Sequence, residues 1–567
     1  MFAFLESHVF SGPHLSPCQM LEDEWDHFTD VLTCLNPSPV PPSPVRLVLS
    51  DAVPPQFRGR KASTEFPISL DSLETYLHRV GLTNTDYTFL PTQATQAEMK
   101  QQNAPLVTLG VRGQVRTPVR EAHIWGINLM NYLQAPALFT LLDLAQIPAH
   151  RAARGAEHPL IVLGGHIWPN PLPLASFYDV LVLGDGEPVL ADIANLIAER
   201  GPARAGLLPA IAEIPGTYVP GYSSGPLHRV EIPFHEPVYL TGSSYLLNGV
   251  GALVISRGCP YDCAFCNNRH VGGQYRVKPF SQVVAQIDRF KQTGAQKIML
   301  LAASASSYRS EGKTLDDILA YLHESGLSAR TMSDRPEHFT DALVRESGAE
   351  KGKVILAPEA SPRLRHQVLR KTMREVTLQR AIRQIIAAGI NYIQLYVIVS
   401  IPPIRPGVVS FLPDGHPGET QADLRYLAEL GVSIANQMHQ AGLHPPPDKP
   451  FVKMDCMPFI PAIGTQLQKL AFSSYPAYQE RLARLREMIP PEYASEVEIS
   501  AAMDETTHLL QAFMERNTAQ AGEVLWETWR GAPAGILTAP LLRDALARAG
   551  FDLDQLREEY FRKPLPY

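Results

Sequence analysis

Cys259-Pro-Tyr-Asp-Cys263-Ala-Phe-Cys266 decides how this chain reads. It gathers three of the six cysteines into eight residues, spaced Cys-x3-Cys-x2-Cys. Upstream runs Ala252-Leu-Val-Ile255, then Ser256-Arg257-Gly258. That pattern predicts a buried strand whose Gly-assisted turn presents the cysteines at its C-terminal edge. Three thiolates hold three corners of a cubic iron–sulfur cluster, which ordinarily takes four cysteines. The fourth iron is then open to a substrate or cofactor. The competing readings are a zinc site and a chance grouping. Zinc sites pair Cys-x2-Cys or Cys/His units with a second pair downstream. His270 is available as a fourth donor, but no second pair follows it.

Working outward, the 567 residues predict about three or four domains. With 45% hydrophobic and 19% charged residues, the composition is that of an ordinary globular protein with large cores. The formal net charge of −7, without a long basic run, disfavours nucleic acid as the main partner. Met1-Phe-Ala-Phe-Leu-Glu-Ser lacks a basic, then apolar, leader pattern, and no apolar run has the length of a membrane span. Cys18, Cys34 and Cys456 are scattered, so the cysteines form no disulfide framework and a reducing cytoplasm is expected. Proline clusters such as Pro37-Ser-Pro-Val-Pro-Pro-Ser-Pro44 mark connectors.

Residues 1–43 read as a partly helical extension. Strands are expected at Val45–Ser50, Leu106–Val111, His123–Ile127, Leu160–Gly165 and Val180–Gly184. Helices are expected over Asp71–Val80, with Asp71 as N-cap, and over Pro136–Ala145 and Val189–Ala198. Alternation of this kind predicts a doubly wound α/β sheet over 44–200, with ligands outside the strands' carboxyl ends. The turns Gly164-Gly165 and Gly184-Asp-Gly186-Glu187 fall at such ends, and tight turning alone would also account for them. Residues 201–245, rich in Gly, Pro and Ser, read as a linker.

From 246 to 470 strands are expected at Lys297–Ala302, Val354–Pro358 and Ile393–Val399. Helices should lie between them over Pro279–Thr293, Leu315–Glu324, Gln379–Ala388 and Ala422–Leu430. Repeated strand–helix units predict a partial (β/α) barrel with its chemistry at the strands' C-terminal ends. Residues 471–567 read as an amphipathic helical cap bordering the substrate pocket, with Trp526 and Trp529 as core residues.

The cysteine spacing, with Phe265 before the third cysteine, resembles the radical SAM family. The stretch Leu142–Leu190 is similar to the branch with an N-terminal cobalamin-binding-type domain and a fused elongator-like barrel. It carries Val162-Leu-Gly-Gly165, Asn170-Pro-Leu-Pro-Leu-Ala175, Phe177-Tyr-Asp179 and Gly184-Asp-Gly-Glu187. Met457-Pro-Phe459-Ile-Pro461 through Thr465-Gln-Leu-Gln468 matches the same branch. The resemblance implies a Rossmann-like domain, a TIM-type partial barrel, a 4Fe-4S cluster on Cys259, Cys263 and Cys266, S-adenosylmethionine and cobalamin. It assigns Phe265, Ser304, Ser306, Glu359, Arg363 and Ser400 to S-adenosylmethionine. To cobalamin it assigns Gly164, Gly165, Gly184, Gly186, Glu187 and Arg58. One departure stands out: where many cobalamin domains carry Asp-x-His-x-x-Gly, this chain reads Asp51-Ala-Val-Pro-Pro-Gln-Phe-Arg58, without His. The implied reaction is methylation of an unactivated carbon of a small-molecule or peptide substrate, with a flavodoxin or ferredoxin as electron donor. The alternatives are a radical SAM cyclase, rearrangement or RNA-modifying enzyme, and an iron–sulfur binding or sensor protein.

Overall fold

The structure, a computed structural model, describes residues 17–30, 32–34, 43–52, 68–167, 169–224, 227–234, 245–331, 335–516, 519–552 and 557. Near-continuous apolar runs, which suit strands covered on both faces, build the N-terminal sheet. Its order is Thr85–Tyr87, Leu47–Asp51, Ile124–Leu129, Leu160–Gly165, Val180–Val182 and Thr217–Tyr218. Neighbours pair in parallel except the last, which runs antiparallel to Val180–Val182. Helices Ile68–Arg79, Ala135–Leu144 and Gly186–Arg200 pack their apolar stripes into the same core.

Three expectations change. Leu106–Val111 is not a strand; only Val107 bridges, to Pro118. The Asp86 carboxylate captures the N–H groups of Gly110 at 2.9 Å and Val111 at 3.3 Å, so they are withheld from a ladder. Asp71 is not an N-cap: the helix begins at Ile68 and Asp71 lies buried in its first turn. Residues 201–245 are more than a linker. Helix Arg204–Ala212 and strand Thr217–Tyr218 complete the first domain, and Val230 bridges Gly184. The extension contributes helix Pro17–Asp30, whose Trp25 is fully buried, and strand Leu32–Cys34, which pairs with Tyr245–Leu247 of the second domain.

The second domain wraps parallel strands around one core. One ladder holds Val250–Val254, Lys297–Leu301 and Ser328–Thr331; the other holds Val354–Glu359, Ile393–Val399, Val452–Pro458 and Val497–Ala501. The partial barrel therefore continues past residue 470. Val497–Ala501 alternates buried and open positions, and helix Tyr475–Glu487 is its crossover. Helices Glu505–Arg516, Ala519–Gly531 and Ala539–Arg548 add to the first domain's core. Gly522 permits the contact, because a Cβ there would lie 1.8 Å from the Pro173 carbonyl oxygen. Trp526 and Trp529 pack on Phe139, with ring centroids 5.2 and 5.8 Å away, in keeping with their reading as core residues. No helix among the described residues is long and apolar enough to cross a membrane.

Candidate functional site

The cysteine loop leaves the barrel at the end of Val250–Val254. Ser256–Arg257 then pairs antiparallel with Arg276–Val277, closing the base of the loop. Gly258 at that base has φ +69°, and a Cβ would sit 2.4 Å from the Gln274 carbonyl oxygen; only glycine fits. Ala264 is fully buried and its N–H donates to Leu369 O at 2.8 Å, anchoring the middle of the loop. Cys259, Cys263 and Cys266 remain free, partly exposed thiols. Burial pushes Cys266 up to about 11, and the neighbouring Cys263 and Cys259 push in the same direction. Burial also raises Cys263, against the opposing charges of Arg335 and Lys371.

Three sulfurs close enough to perturb one another suit a cationic cluster that makes them thiolates on binding. Among the described residues no group of three His, Cys, Asp or Glu side chains converges as a single-ion site. A zinc ion needs its donors about 2.3 Å from one point, whereas a cubic cluster takes each sulfur on a separate iron. The His270 side chain lies outside the described residues.

Beside the loop, a cavity of about 500 Å³ opens at the barrel's C-terminal rim, lined by Phe265, Glu359, Tyr396, Asp455, Met457 and Phe459 among others. Glu359 ends its strand at φ +63° on a register shift, which turns its carboxylate toward that space. Lys371 Nζ holds it at 2.9 Å and donates to Ala357 O at 2.7 Å. The remaining residues assigned to S-adenosylmethionine do not line this cavity. Arg363 pairs with Asp423 and donates to Gly418 O at 2.6 Å. Ser304 is buried, with its hydroxyl 2.9 Å from that of Ser307, and Ser306 is buried alongside. Ser400, at φ +64°, donates its N–H to Glu419 Oε2 at 3.0 Å, and its hydroxyl accepts from Ser473 at 2.7 Å. Burial raises Glu419 to about 7, although the Ser400 N–H and Arg481 pull the other way.

A second cavity, of about 510 Å³, lies between the domains. The first domain supplies Gly164, Gly165, Gly184, Gly186 and Glu187, the residues assigned to cobalamin; Arg58 falls outside the described residues. The barrel supplies Ser256, Arg257, Gly258 and Ala303. Gly165 and Gly184 are obligatory, with φ +99° and +93° and a Cβ only 2.2 Å from Leu129 O and Val230 O respectively. Gly164 has no neighbour within 4 Å of a built Cβ. Glu187 borders the cavity, but its carboxylate is occupied by Arg257 at 3.3 Å. Asp185 binds Arg257 at 2.7 Å and Arg276 at 2.6 Å. Burial alone would raise Asp185; the two guanidiniums outweigh it and hold the carboxyl below its ordinary value.

Sequence reading missed this latch because its acidic and basic members lie about seventy residues apart or more and form no motif. It also missed His166, which follows Gly164-Gly165 directly and lines the cavity, burial lowering its pKa. Adjacency to the glycine turn was the available signal.

Fold and site together define an α/β protein with a doubly wound parallel sheet feeding a partial barrel that carries three clustered cysteines. Two family models match: "Radical SAM proteins, N-terminal" over residues 72–220 and "Radical SAM superfamily" over 253–431. The chain belongs to the radical SAM superfamily, whose cofactors are a 4Fe-4S cluster and S-adenosylmethionine. It is 24% identical over 257 residues to an uncharacterized protein of Methanocaldococcus jannaschii, covering 43% of this chain and 52% of that one. It is 26% identical over 181 residues to the tRNA-2-methylthio-N(6)-dimethylallyladenosine synthase of Fusobacterium nucleatum, covering 30% and 38%. The chain thus spans about half or less of the length of these curated relatives. Among solved structures it is similar to the radical S-adenosylmethionine methyltransferase TsrM of Kitasatospora setae, solved with cobalamin and a 4Fe-4S cluster bound. The TM-score is 0.49 and identity 14%, over 89% of this chain and 100% of that one.

Proposed function

We propose that this enzyme binds a cobalamin in the interdomain cavity and methylates an unactivated carbon of a small-molecule or peptide substrate. The observation that carries this reading is the cavity itself. It joins the glycine turns of the first domain to Gly258, the residue preceding Cys259, so a ligand there would lie against the cluster loop. When bound, the cluster supplies the electron that cleaves S-adenosylmethionine, and the corrinoid carries the methyl group that replaces a hydrogen of the substrate carbon.

The chain's own work is holding and shielding. Cys259, Cys263 and Cys266 would hold the cluster. Glu359, fixed by Lys371, faces the cavity where it would pair with the cationic end of S-adenosylmethionine. Phe265, Ile398, Met457 and Phe459 supply the apolar part of that cavity's wall. Gly164, which has open space where a side chain would stand, would let a broad ligand approach the backbone. A flavodoxin or ferredoxin in a reducing cytoplasm would supply the electron.

The relative's name offers a second reading, methylthio transfer. That chemistry needs a sulfur source as well. Among the residues whose side chains are described, Cys34 lies on an edge strand and Cys456 is fully buried in the barrel. Anaerobic reconstitution with iron, sulfide and hydroxocobalamin tests the proposal. A corrinoid absorption band retained after gel filtration, and substrate gaining a trideuteromethyl group from labelled S-adenosylmethionine, are the expected results. Formation of 5′-deoxyadenosine without retained corrinoid would establish a radical SAM enzyme that does not use cobalamin.

A further inference from the structure

One cysteine of the tripod is met by a charged donor. Arg335 Nη1 lies 3.6 Å from Cys263 Sγ. The guanidinium stacks 3.7 Å from the centroid of the Tyr261 ring, which stands between the first two cysteines. Its other edge is tied by Nε to Glu337 Oε1 at 3.1 Å and by Nη2 to Thr372 Oγ1 at 3.4 Å. Tyr261 is itself fixed, with its hydroxyl 2.5 Å from His338 Nε2 and 3.1 Å from Ser307 Oγ. The Arg335 side chain is 9% exposed, so water screens it little.

We propose that Arg335 sets the reduction potential of the cluster through an N–H···S bond to the Cys263 thiolate, with Glu337 as the counter-charge that moderates it. Arg335 acts through Cys263 and is a positioning residue. Reduction adds one electron, and so one negative charge, to the cluster. The electron comes from a low-potential reductant such as dithionite, and no bond in the protein forms or breaks. A fixed positive donor beside a cluster sulfur favours the reduced form and raises the potential. Glu337 opposes it. The inference rests on the family's cluster and holds whichever reaction follows.

The test is an EPR-monitored redox titration of reconstituted protein without S-adenosylmethionine, for wild type, Arg335→Gln, Arg335→Lys and Glu337→Gln. Losing one charge-assisted bond should lower the ratio of reduced to oxidised cluster about tenfold at fixed potential, a shift of about 59 mV negative for a one-electron couple. Arg335→Lys should recover part of that shift. Glu337→Gln should move the potential the opposite way, a sign that a purely structural role would not produce. Equal potentials in all four proteins, or shifts of the same sign for Arg335→Gln and Glu337→Gln, would overturn the proposal. If Arg335→Gln fails to retain iron, Glu337→Gln decides alone: an unchanged or more negative potential refutes it.

Discussion

Arg257, two residues ahead of the first cluster cysteine, donates to Asp185 of the N-terminal sheet at 2.7 Å. The cysteine loop is thereby fastened to the turn that lines the interdomain cavity. Asp185 also accepts from Arg276 on the strand closing that loop, and from the backbone N–H of Ile232 at 2.8 Å. One carboxylate thus fixes both strands at the base of the cysteine loop.

Removing it should loosen the junction. Asp185→Ala leaves two buried guanidiniums short of their counter-charge, a defect expected to cost about 3 kcal/mol. The check is a calorimetric scan with limited proteolysis of the full chain. An unchanged melting profile and cleavage pattern would show that the latch does not hold the domains together.

Two neighbouring glycines should respond differently. Gly184→Ala forces a Cβ against the Val230 carbonyl at positive φ and should destabilise the fold by roughly 2–4 kcal/mol. Gly164→Phe meets open space, so the protein should fold within about 1 kcal/mol of wild type yet lose retained corrinoid at least tenfold. Wild-type corrinoid binding by Gly164→Phe would remove cobalamin from this cavity.

Glu359→Gln keeps the side chain's shape and discards its charge. Affinity for S-adenosylmethionine, measured by calorimetry on the anaerobic cluster-loaded enzyme, should fall about tenfold. Lys371→Met should fall less, because the carboxylate remains. Arg363→Gln should leave affinity near wild type, since its guanidinium is held by Asp423 and Gly418 away from the cavity.

Glu419 should give stability a pH dependence. Its folded-state pKa of about 7 lies above the ordinary glutamate value of 4.5, so the folded chain keeps a proton that the unfolded chain has released. The contribution is full below the unfolded value and declines as pH rises through about 7. Melting temperatures of wild type and Glu419→Gln should diverge progressively, the difference in stability changing by about 1–3 kcal/mol between about pH 5 and pH 8. Parallel profiles would show that the carboxyl titrates normally.

Much of the architecture was legible in local pattern. The double-faced apolar runs at Leu160–Gly165 and Ile393–Val399 coincide with observed strands, because a parallel strand must be apolar on both faces wherever it lies. The glycine turns assigned to a ligand do border one cavity. Less legible was Val497–Ala501: five residues after a helical stretch carry too little periodicity to declare a strand, and its partner, Val452–Pro458, is some forty residues away. Ser304 and Ser400 sit in turns with the right composition, yet their hydroxyls are taken by Ser307 and Ser473.

By itself the sequence determined the three-cysteine loop and most of the alternating strands and helices, because cysteine spacing and hydrophobic period are properties of adjacent residues. Only the tertiary structure decided which charges meet. Asp185 with Arg257, Glu359 with Lys371 and Arg335 with Cys263 are pairs whose members lie apart along the chain. Their electrostatic worth depends on distance and burial, which only the packing of the folded chain sets.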